Sequence, residues 1–240
     1  MCAGSGICAT VTTPSNAAAQ NQILSFSGYT WRVRSGYGGP GPNDWDTANV
    51  WLDKKGYMHL KISKVDGRWR CAEVETTQHL GFGRYQFQVI GALDRLDRNV
   101  VLGLFNYPTQ DIGVDASNEI DIEFANWGNP DYPPGNYTVW AAEANLKPRH
   151  YAFDFSLPSA TSTHRFTWTK ESVYFQSLSG RRNNNLAEFA HWTFHPKAYE
   201  QLIPQNPLPI HINLWLYQGQ EPTDNQPVEI VIKQFSFIPE

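Results

Sequence analysis

One short run in the middle of the chain constrains the fold more than any other segment. Residues 118–124 read Asn-Glu-Ile-Asp-Ile-Glu-Phe, so that three carboxylates alternate with three apolar residues. Period-2 alternation is typical of a β-strand whose two faces meet different surroundings. The apolar residues are therefore predicted to face a core and the acids to share the opposite face. The apolar set is Ile120, Ile122 and Phe124, and the acidic set is Glu119, Asp121 and Glu123.

Three neighbouring acids on one strand face admit several interpretations. They repel one another, so fold stability alone gives no reason to place them together. One interpretation is a solvated strand face. Another is a Ca²⁺ or Mg²⁺ site, although the loop spacing and central glycine of an EF-hand are absent. A third is cleavage of a glycosidic bond, which needs two carboxyl groups flanking the bond. The following Ala-Asn-Trp-Gly at 125–128 and the nine tryptophans of the chain favour the third.

Composition sets the broad class. The 240 residues are 41% hydrophobic and 18% charged, which is enough apolar material for a sizeable core. The net charge is −4, and the chain has no cluster of Lys and Arg, since the adjacent pair Arg181-Arg182 stands in a polar loop, so a nucleic-acid partner is not expected. No run is long and apolar enough to predict a transmembrane segment.

The remainder of the chain is predicted to be all-β. Thirteen segments have strand patterns, and many are bounded by the turn formers Gly, Pro, Asn and Asp. The predicted strands are 30–34, 49–52, 57–63, 69–76, 83–90, 99–107, 119–124, 137–142, 151–155, 165–169, 172–177, 210–217 and 228–237. A short helix is expected around 196–202. The pattern predicts two packed antiparallel sheets in one domain over residues 23–240.

Residues 1–22 form a small, polar segment without periodicity, which we interpret as a flexible leader. It lacks the basic start and apolar centre of a signal peptide, so either a signal has been removed or the protein stays in the cytoplasm. One hypothesis makes Cys2 the lipid-bearing residue of a secreted or cell-envelope lipoprotein. Cys2 and Cys8 either bridge to each other or stay free. No Cys/His spacing predicts a zinc site.

Several segments resemble glycoside hydrolases of family 16. The acidic run resembles the active-site strand of the lichenase and xyloglucan-transglycosylase branches, which share a plain Glu-x-Asp-x-Glu. Cys-Ala-Glu-Val-Glu-Thr at 71–76 and Gly-Phe-Gly-Arg-Tyr-Gln-Phe at 81–87 resemble the preceding pair of strands. Ile-Asn-Leu-Trp at 212–215 resembles a strand near the C-terminus. The resemblance covers most of residues 26–238. It implies a β-jelly-roll sandwich, like that of concanavalin A, with a concave sheet that forms a long substrate cleft.

The resemblance also implies catalytic roles. Glu119 matches the nucleophile of a retaining mechanism and Glu123 matches its general acid/base. Asp121 lies between them, where it shares a proton or a hydrogen bond with a neighbour. On a flat strand the Cα atoms of the two glutamates are about 13 Å apart. Retaining enzymes need carboxyl groups about 5–5.5 Å apart, so the side chains must lean together from a bent strand.

Five residues are candidates for binding the substrate. By resemblance, Glu73 matches a position that contacts the sugar beside the scissile bond, and Asn43 matches an asparagine of a cleft loop. Trp127 directly follows the acidic strand, and Trp215 falls in the segment that faces the cleft in relatives, so both are expected to stack on sugar rings. Asn213 shares a strand face with Trp215.

The chain departs from the lichenase pattern at two positions. Glu75 replaces an arginine that helps lichenases bind substrate, which reverses the local charge. Cys71 occupies the position of a disulfide half-cystine, but no cysteine lies near Trp45 to pair with it. The other tryptophans are assigned to the core or left open between core and cleft. Those left open are Trp31, Trp45, Trp51 and Trp69, and those assigned mainly to packing are Trp140, Trp168 and Trp192.

The sequence therefore predicts a retaining, endo-acting glycoside hydrolase of a β-linked polysaccharide, such as a β-1,3-1,4-glucan or a related β-glucan. A non-catalytic carbohydrate-binding protein on the same fold is the alternative from another class. A transglycosylase, which passes the glycosyl-enzyme to a sugar hydroxyl, is a third. The mechanism requires no cofactor. Relatives often hold one structural calcium ion, for which the sequence suggests no ligands. A monomer is expected for a cleft enzyme that acts on polymers.

Overall fold

β-strands dominate the structure. The computed structural model describes residues 22–240. Within them lie seventeen strands, one α-helix and three 3₁₀ helices. The strands are β1 (Ile23–Phe26), β2 (Tyr29–Val33), β3 (Gly36–Gly38), β4 (Asn43–Trp45), β5 (Val50–Leu52), β6 (Met58–Val65), β7 (Arg68–Thr76), β8 (Gly83–Ile90), β9 (Val100–Asn106), β10 (Glu119–Phe124), β11 (Gly135–Trp140), β12 (Arg149–Phe153), β13 (Thr161–Trp168), β14 (Val173–Ser179), β15 (Glu188–Phe194), β16 (Ile210–Leu216) and β17 (Val228–Pro239). The helix α1 is Tyr199–Leu202, and the 3₁₀ helices are Thr47–Asn49, Leu93–Arg95 and Tyr217–Gly219.

The long strands form two antiparallel sheets. The front sheet has the order β1-β2-β7-β16-β9-β10-β11-β12. The back sheet has the order β5-β6-β17-β8-β13-β14-β15. The start of β7 pairs with β6 and, in parallel, with β4, whereas its end belongs to the front sheet. Strands far apart in sequence are neighbours, as where β16 lies between β7 and β9. The predicted all-β jelly-roll sandwich is confirmed.

The core lies between the sheets. One row of the front sheet pairs in register across five strands and is completely buried. Its members are Val74, Ile212, Leu104, Ile122 and Tyr137. Burying a large apolar side chain contributes about 1.5–3 kcal/mol. Rows of this kind therefore hold the front sheet against the back sheet.

The acidic strand β10 lies inside the front sheet, between β9 and β11. The apolar face predicted from the sequence is confirmed, because Ile120, Ile122 and Phe124 are each 0% exposed. Asn118 turns the chain into the strand with a φ of 53°, a left-handed conformation that asparagine tolerates. Its Nδ2 donates to the carbonyl of Ala142 at 2.9 Å, which ties this turn to the end of β11.

Four strands are missing from the sequence-based prediction. They are β1, β3, β4 and β15. The glycine-rich β3 has only three residues, too few to show a period. The helix expected around 196–202 is shorter and spans Tyr199–Leu202. Most of the predicted leader, with Cys2 and Cys8, lies outside the described residues. Gln22 is the exception, and its Nε2 donates to the carbonyl of Val50 at 3.2 Å.

Among residues 22–240, no helix has both the length and the apolar composition needed to cross a membrane.

Shortening a core residue of β10 tests this packing. Ile122→Ala leaves a cavity beside Leu104 and Tyr137, so we expect the free energy of unfolding to fall by about 2–5 kcal/mol. Urea denaturation followed by tryptophan fluorescence measures the change. The control Thr193→Ala, at an exposed position of β15, should stay within about 0.5 kcal/mol of the parent. An equal effect of both substitutions would contradict the assignment of Ile122 to the core.

Candidate active site

The outer face of the front sheet carries a groove with a volume of about 1180 Å³. Its lining includes the three predicted catalytic residues, Glu119, Asp121 and Glu123. It also includes four of the five predicted substrate-binding residues, namely Glu73, Trp127, Asn213 and Trp215. Side chains of β2, β7, β16, β9, β10 and β11 contribute to it in spatial order. Five strand spacings of about 4.8 Å make this span about 24 Å, so the groove runs across the strands.

Asp121 is the most buried of the three acids, at 2% exposure. Its Oδ2 accepts a hydrogen bond of 2.8 Å from Nε1 of Trp140 on β11. Its Oδ1 has no hydrogen-bond partner among the described protein atoms. Burial, and then the charge and hydrogen bond of Glu119, raise the pKa of Asp121 well above its usual value. The interaction between the two acids acts to raise the pKa of Asp121 and to lower that of Glu119, so it favours Asp121 as the holder of the proton.

The two glutamates beside Asp121 are also shifted. Burial raises the pKa of Glu119 to about 8, while the hydrogen bond from Asp121 acts in the opposite direction. Burial, followed by the charge of Asp121, raises the pKa of Glu123 well above its usual value. Three carboxyl groups in one low-dielectric groove cannot all ionise easily. The trio therefore holds protons near neutral pH and titrates as a coupled set.

Glu73 lies on β7, three strands away from β10, in an ion-paired setting. Its Oε1 is 3.1 Å from Nδ1 of His211, and its Oε2 accepts a bond of 2.8 Å from Nη1 of Arg34. Burial acts to raise the pKa of Glu73, but the hydrogen bonds and charges of His211 and Arg34 together lower it. Glu73 is thus held as a carboxylate with both oxygens engaged.

Glu75 extends this pairing along the groove. It pairs with Arg32 of β2, and its Oε2 lies 3.5 Å from Nε2 of His211. Arg32 on β2, Glu75 on β7 and His211 on β16 therefore lie next to one another in that order across three neighbouring strands. Arg32 on the neighbouring strand supplies a positive charge beside Glu75, so Glu75 forms a local ion pair.

An aromatic cluster forms another part of the groove. The ring centres of Trp127 and Trp215 are 6.3 Å apart, and Trp127 meets Tyr217 edge-on at 5.7 Å. Trp127 has a φ of 53° and is followed by Gly128 at 77°, so two left-handed residues turn the chain at this point. Of these rings, Trp127 and Trp215 line the groove and give it an apolar wall of the kind that packs on sugar faces.

The structure does not bring Asn43 into the groove with the other candidates. Its Nδ2 donates to the carbonyls of Pro40 and Leu216 at 2.8 and 2.9 Å, and its Oδ1 accepts a bond from Sγ of Cys71 at 3.3 Å. Asn43 therefore supports the loop whose Pro40 lines the groove. Among the described residues, Cys71 is a free, buried thiol, and burial raises its pKa to about 12.

Three Phe, Tyr or Trp residues that line the groove were not identified from the sequence as site residues. They are Phe105, Tyr107 and Trp140. The sequence of β11 could have placed Trp140 on the groove face, because Asn, Thr and Trp alternate with Tyr and Val along this strand. No such pattern marks Phe105 and Tyr107. The strand β9 is apolar on both faces, so alternation of apolar and polar residues cannot show which of its side chains face the groove. Of the other tryptophans, Trp31, Trp45 and Trp168 are buried in the core.

Residues 22–240 contain no group of three or more His, Cys, Asp or Glu side chains arranged to hold a metal ion. The structural calcium that the family resemblance implies therefore finds no such set of side-chain ligands in this part of the chain.

The fold places the chain among jelly-roll sandwiches that carry an acidic groove on one sheet. No model of a protein family matches the sequence, and no curated protein matches it. Solved structures do match in three dimensions. A β-glucanase of Bacillus licheniformis superposes with a TM-score of 0.66 at 20% identity, over 88% of this chain and 92% of that chain.

Two further solved structures show the range of proteins that share this fold. A family 16 endo-glucanase from Bacteroides ovatus superposes with a TM-score of 0.66 at 12% identity, covering 87% of this chain and 94% of its own. A pseudo β-1,3-glucanase of Mycobacterium tuberculosis, an immunostimulatory antigen, gives a TM-score of 0.67 at 16% identity over 88% and 91%. Identities this low establish a shared fold and not a shared activity.

The raised pKa of Glu119 predicts a pH-dependent cost in stability. Between its usual pKa of 4.5 and its folded-state pKa of about 8, the unfolded chain releases a proton that the folded protein keeps. The free energy of unfolding must therefore fall as pH rises through this range. Glu119→Gln removes this titrating group. The free energy of unfolding of the variant, relative to that of the parent, should therefore rise by at least about 1.4 kcal/mol when the pH is raised from 4 to 8.

Urea denaturation at both pH values measures this gain. Glu143→Gln, at an exposed position outside the groove, is the matched control and should follow the parent at both pH values. A constant difference between Glu119→Gln and the parent would contradict the raised pKa.

Proposed function

We propose that the chain is a retaining, endo-acting glycoside hydrolase of a β-1,3-1,4-glucan or a related neutral β-glucan. The observation that carries the proposal is the set of three carboxyl groups on one strand face, on the floor of an open groove. Glu119 and Glu123 both line the groove, with Asp121 between them. A purely structural strand face gains nothing from three buried, mutually repelling acids.

Glu119 and Glu123 each have a role in a double displacement. In the first step, Glu123 gives its proton to the glycosidic oxygen while a carboxylate oxygen of Glu119 attacks the anomeric carbon, and the bond to the leaving sugar breaks. In the second step, Glu123 takes a proton from water, the water oxygen attacks the same carbon, and the bond to Glu119 breaks. The two inversions together retain the configuration.

The proton arrangement in the groove supports these roles. Glu123, with its raised pKa, keeps the proton that the first step needs. The interaction of Asp121 with Glu119 acts to raise the pKa of Asp121 and to lower that of Glu119, which favours the ionised form of the nucleophile. Trp140 donates to Oδ2 of Asp121 and so orients this carboxyl group. Once Glu119 is esterified its charge disappears, which lets Glu123 act as a base toward water.

The charge of the groove supports a neutral polymer as the substrate. Among the described residues, its lining has six carboxyl side chains and two arginines. The acids are Glu73, Glu75, Asp115, Glu119, Asp121 and Glu123. Both arginines, Arg32 and Arg34, are already paired with glutamates. A sulfated or uronic-acid polymer would therefore meet no unpaired arginine or lysine in this lining to receive its charge.

Location and assembly follow from the same proposal. A polymeric substrate does not enter the cell, so the protein should act in the secreted or cell-envelope space. A single chain supplies the whole groove, which fits action as a monomer.

A non-catalytic glucan-binding protein is the second candidate. The fold shared with a pseudo β-1,3-glucanase favours it, because that protein shows that the sandwich also occurs in a pseudo-enzyme. Binding to barley β-glucan or laminarin without any release of reducing ends would support this candidate. Products larger than the donor would instead indicate transglycosylation.

Removing either glutamate tests the mechanism. Glu119→Ala and Glu123→Ala should each lower hydrolysis of barley β-glucan by at least about 10³-fold, whereas Asp121→Asn should leave a reduced but measurable rate. A reducing-end assay measures the rates, and Glu143→Gln outside the groove is the control. With an activated aryl glycoside as substrate, added azide should restore turnover of both variants. The product should be an α-glycosyl azide for Glu119→Ala and a β-glycosyl azide for Glu123→Ala. Full activity of either alanine variant would refute the roles.

The absence of an unpaired arginine or lysine among the described residues of the groove lining predicts a substrate order. Barley β-glucan and laminarin, which are neutral, should be cleaved at least about tenfold faster than carrageenan at low ionic strength. The comparison uses reducing-end release at equal polymer mass. Preferential cleavage of carrageenan would overturn the inference of a neutral substrate.

A further inference from the structure

A single glycine interrupts the row of polar side chains on the groove floor. Glu73, Asn213, Gly103 and Glu123 pair in register across β7, β16, β9 and β10. Asn213 and Glu123 are therefore separated by two strand spacings, about 10 Å, with only the backbone of Gly103 between them. Gly103 itself was not singled out by its sequence context.

The space above Gly103 is taken by the carboxamide of Asn213. A Cβ built on Gly103 would lie 2.4 Å from Oδ1 of Asn213 and 3.3 Å from the ring of Phe105. The first distance is far inside van der Waals contact, whereas the second needs a shift of a few tenths of an ångström. The lack of a side chain at Gly103 therefore lets Asn213 reach over β9 toward Glu123.

This carboxamide oxygen is an unpaired acceptor. Asn213 is 3% exposed, and its Oδ1 has no hydrogen-bond partner among the described protein atoms. The neighbouring Glu73 cannot supply a proton, because Arg34 and His211 hold it as a carboxylate. A buried acceptor without a partner is destabilising, so its retention in the groove points to a partner that comes from outside.

We propose that Gly103 is a positioning residue that lays Asn213 beside Glu123, where the carboxamide binds a hydroxyl group of the sugar held at that point. This inference rests on the proposed function, since it assumes a sugar in the groove. A hydroxyl both donates and accepts, and so it is a suitable partner for a carboxamide. The ligand class is a neutral sugar that carries a free hydroxyl at the position facing Asn213.

A double-mutant cycle tests the coupling between the two residues. Gly103→Ala pushes the carboxamide away and Asn213→Ala removes it, so each should lower kcat/KM on barley β-glucan about tenfold. In the double variant the added methyl meets no carboxamide, so kcat/KM should equal that of Asn213→Ala within about twofold. Additive losses would overturn the proposal, because they would mean that Gly103 does not act through Asn213.

A binding measurement separates recognition from turnover and from folding. In the Glu119→Ala background, calorimetry with a series of monodeoxy β-glucan oligosaccharides should find one missing hydroxyl that weakens binding about tenfold. The same deoxy compound should bind no more weakly than its parent sugar once Asn213→Ala is added. Equal discrimination with and without Asn213 would overturn the proposal, even if Gly103→Ala fails to fold.

The two proposals fail in different ways. If the parent protein neither cleaves nor binds any of the neutral glucans, the proposed function is wrong and this inference falls with it. If the parent cleaves glucan but the cycle is additive, the proposed function stands and the role of Gly103 is wrong.

Discussion

The pairing of β10 between β9 and β11 is the constraint on which the rest of the structure depends. This register buries Ile120, Ile122 and Phe124 between the two sheets, and in doing so it turns all three acids to the groove. A slip of one residue would send the carboxylates into the core. The hydrophobic effect on one face of the strand therefore places the chemistry on the other face, without any separate interaction to orient the acids.

Placing the acids there has an electrostatic cost that the surrounding strands reduce in two ways. Around β10, protons and the indole of Trp140 replace counter-ions, since no arginine or lysine pairs with the trio among the described residues. Around β7, Arg34 and Arg32 pair with Glu73 and Glu75, and the ring of His211 lies between the two glutamates. The groove thus contains acids with raised pKa values on β10 and one acid with a lowered pKa, Glu73, on β7. Such a division suits a reaction that needs a proton donor and a fixed binding carboxylate within one site.

Sequence reasoning succeeded where the signal is local. The two faces of β10 follow from its alternation, and the all-β sandwich follows from many short strands with turn residues between them. It failed where the signal depends on a distant strand. Trp140 and Phe105 reach the groove because β11 and β9 pair with β10, and Asn43 stays out because the carbonyls of Pro40 and Leu216 take up its amide.

The amino-acid sequence by itself determined that a strand with one apolar and one acidic face exists, because side-chain direction alternates with every residue of a strand. It also determined that such a strand belongs to a large β-sandwich with a sizeable core. Only the tertiary structure decided which groups surround the acids. The neighbours of Glu73, the hydrogen bond from Trp140 and the approach of Asn213 over Gly103 all arise between strands far apart in the chain. Their register is set by the packing of the whole sandwich, which no local pattern of residues records.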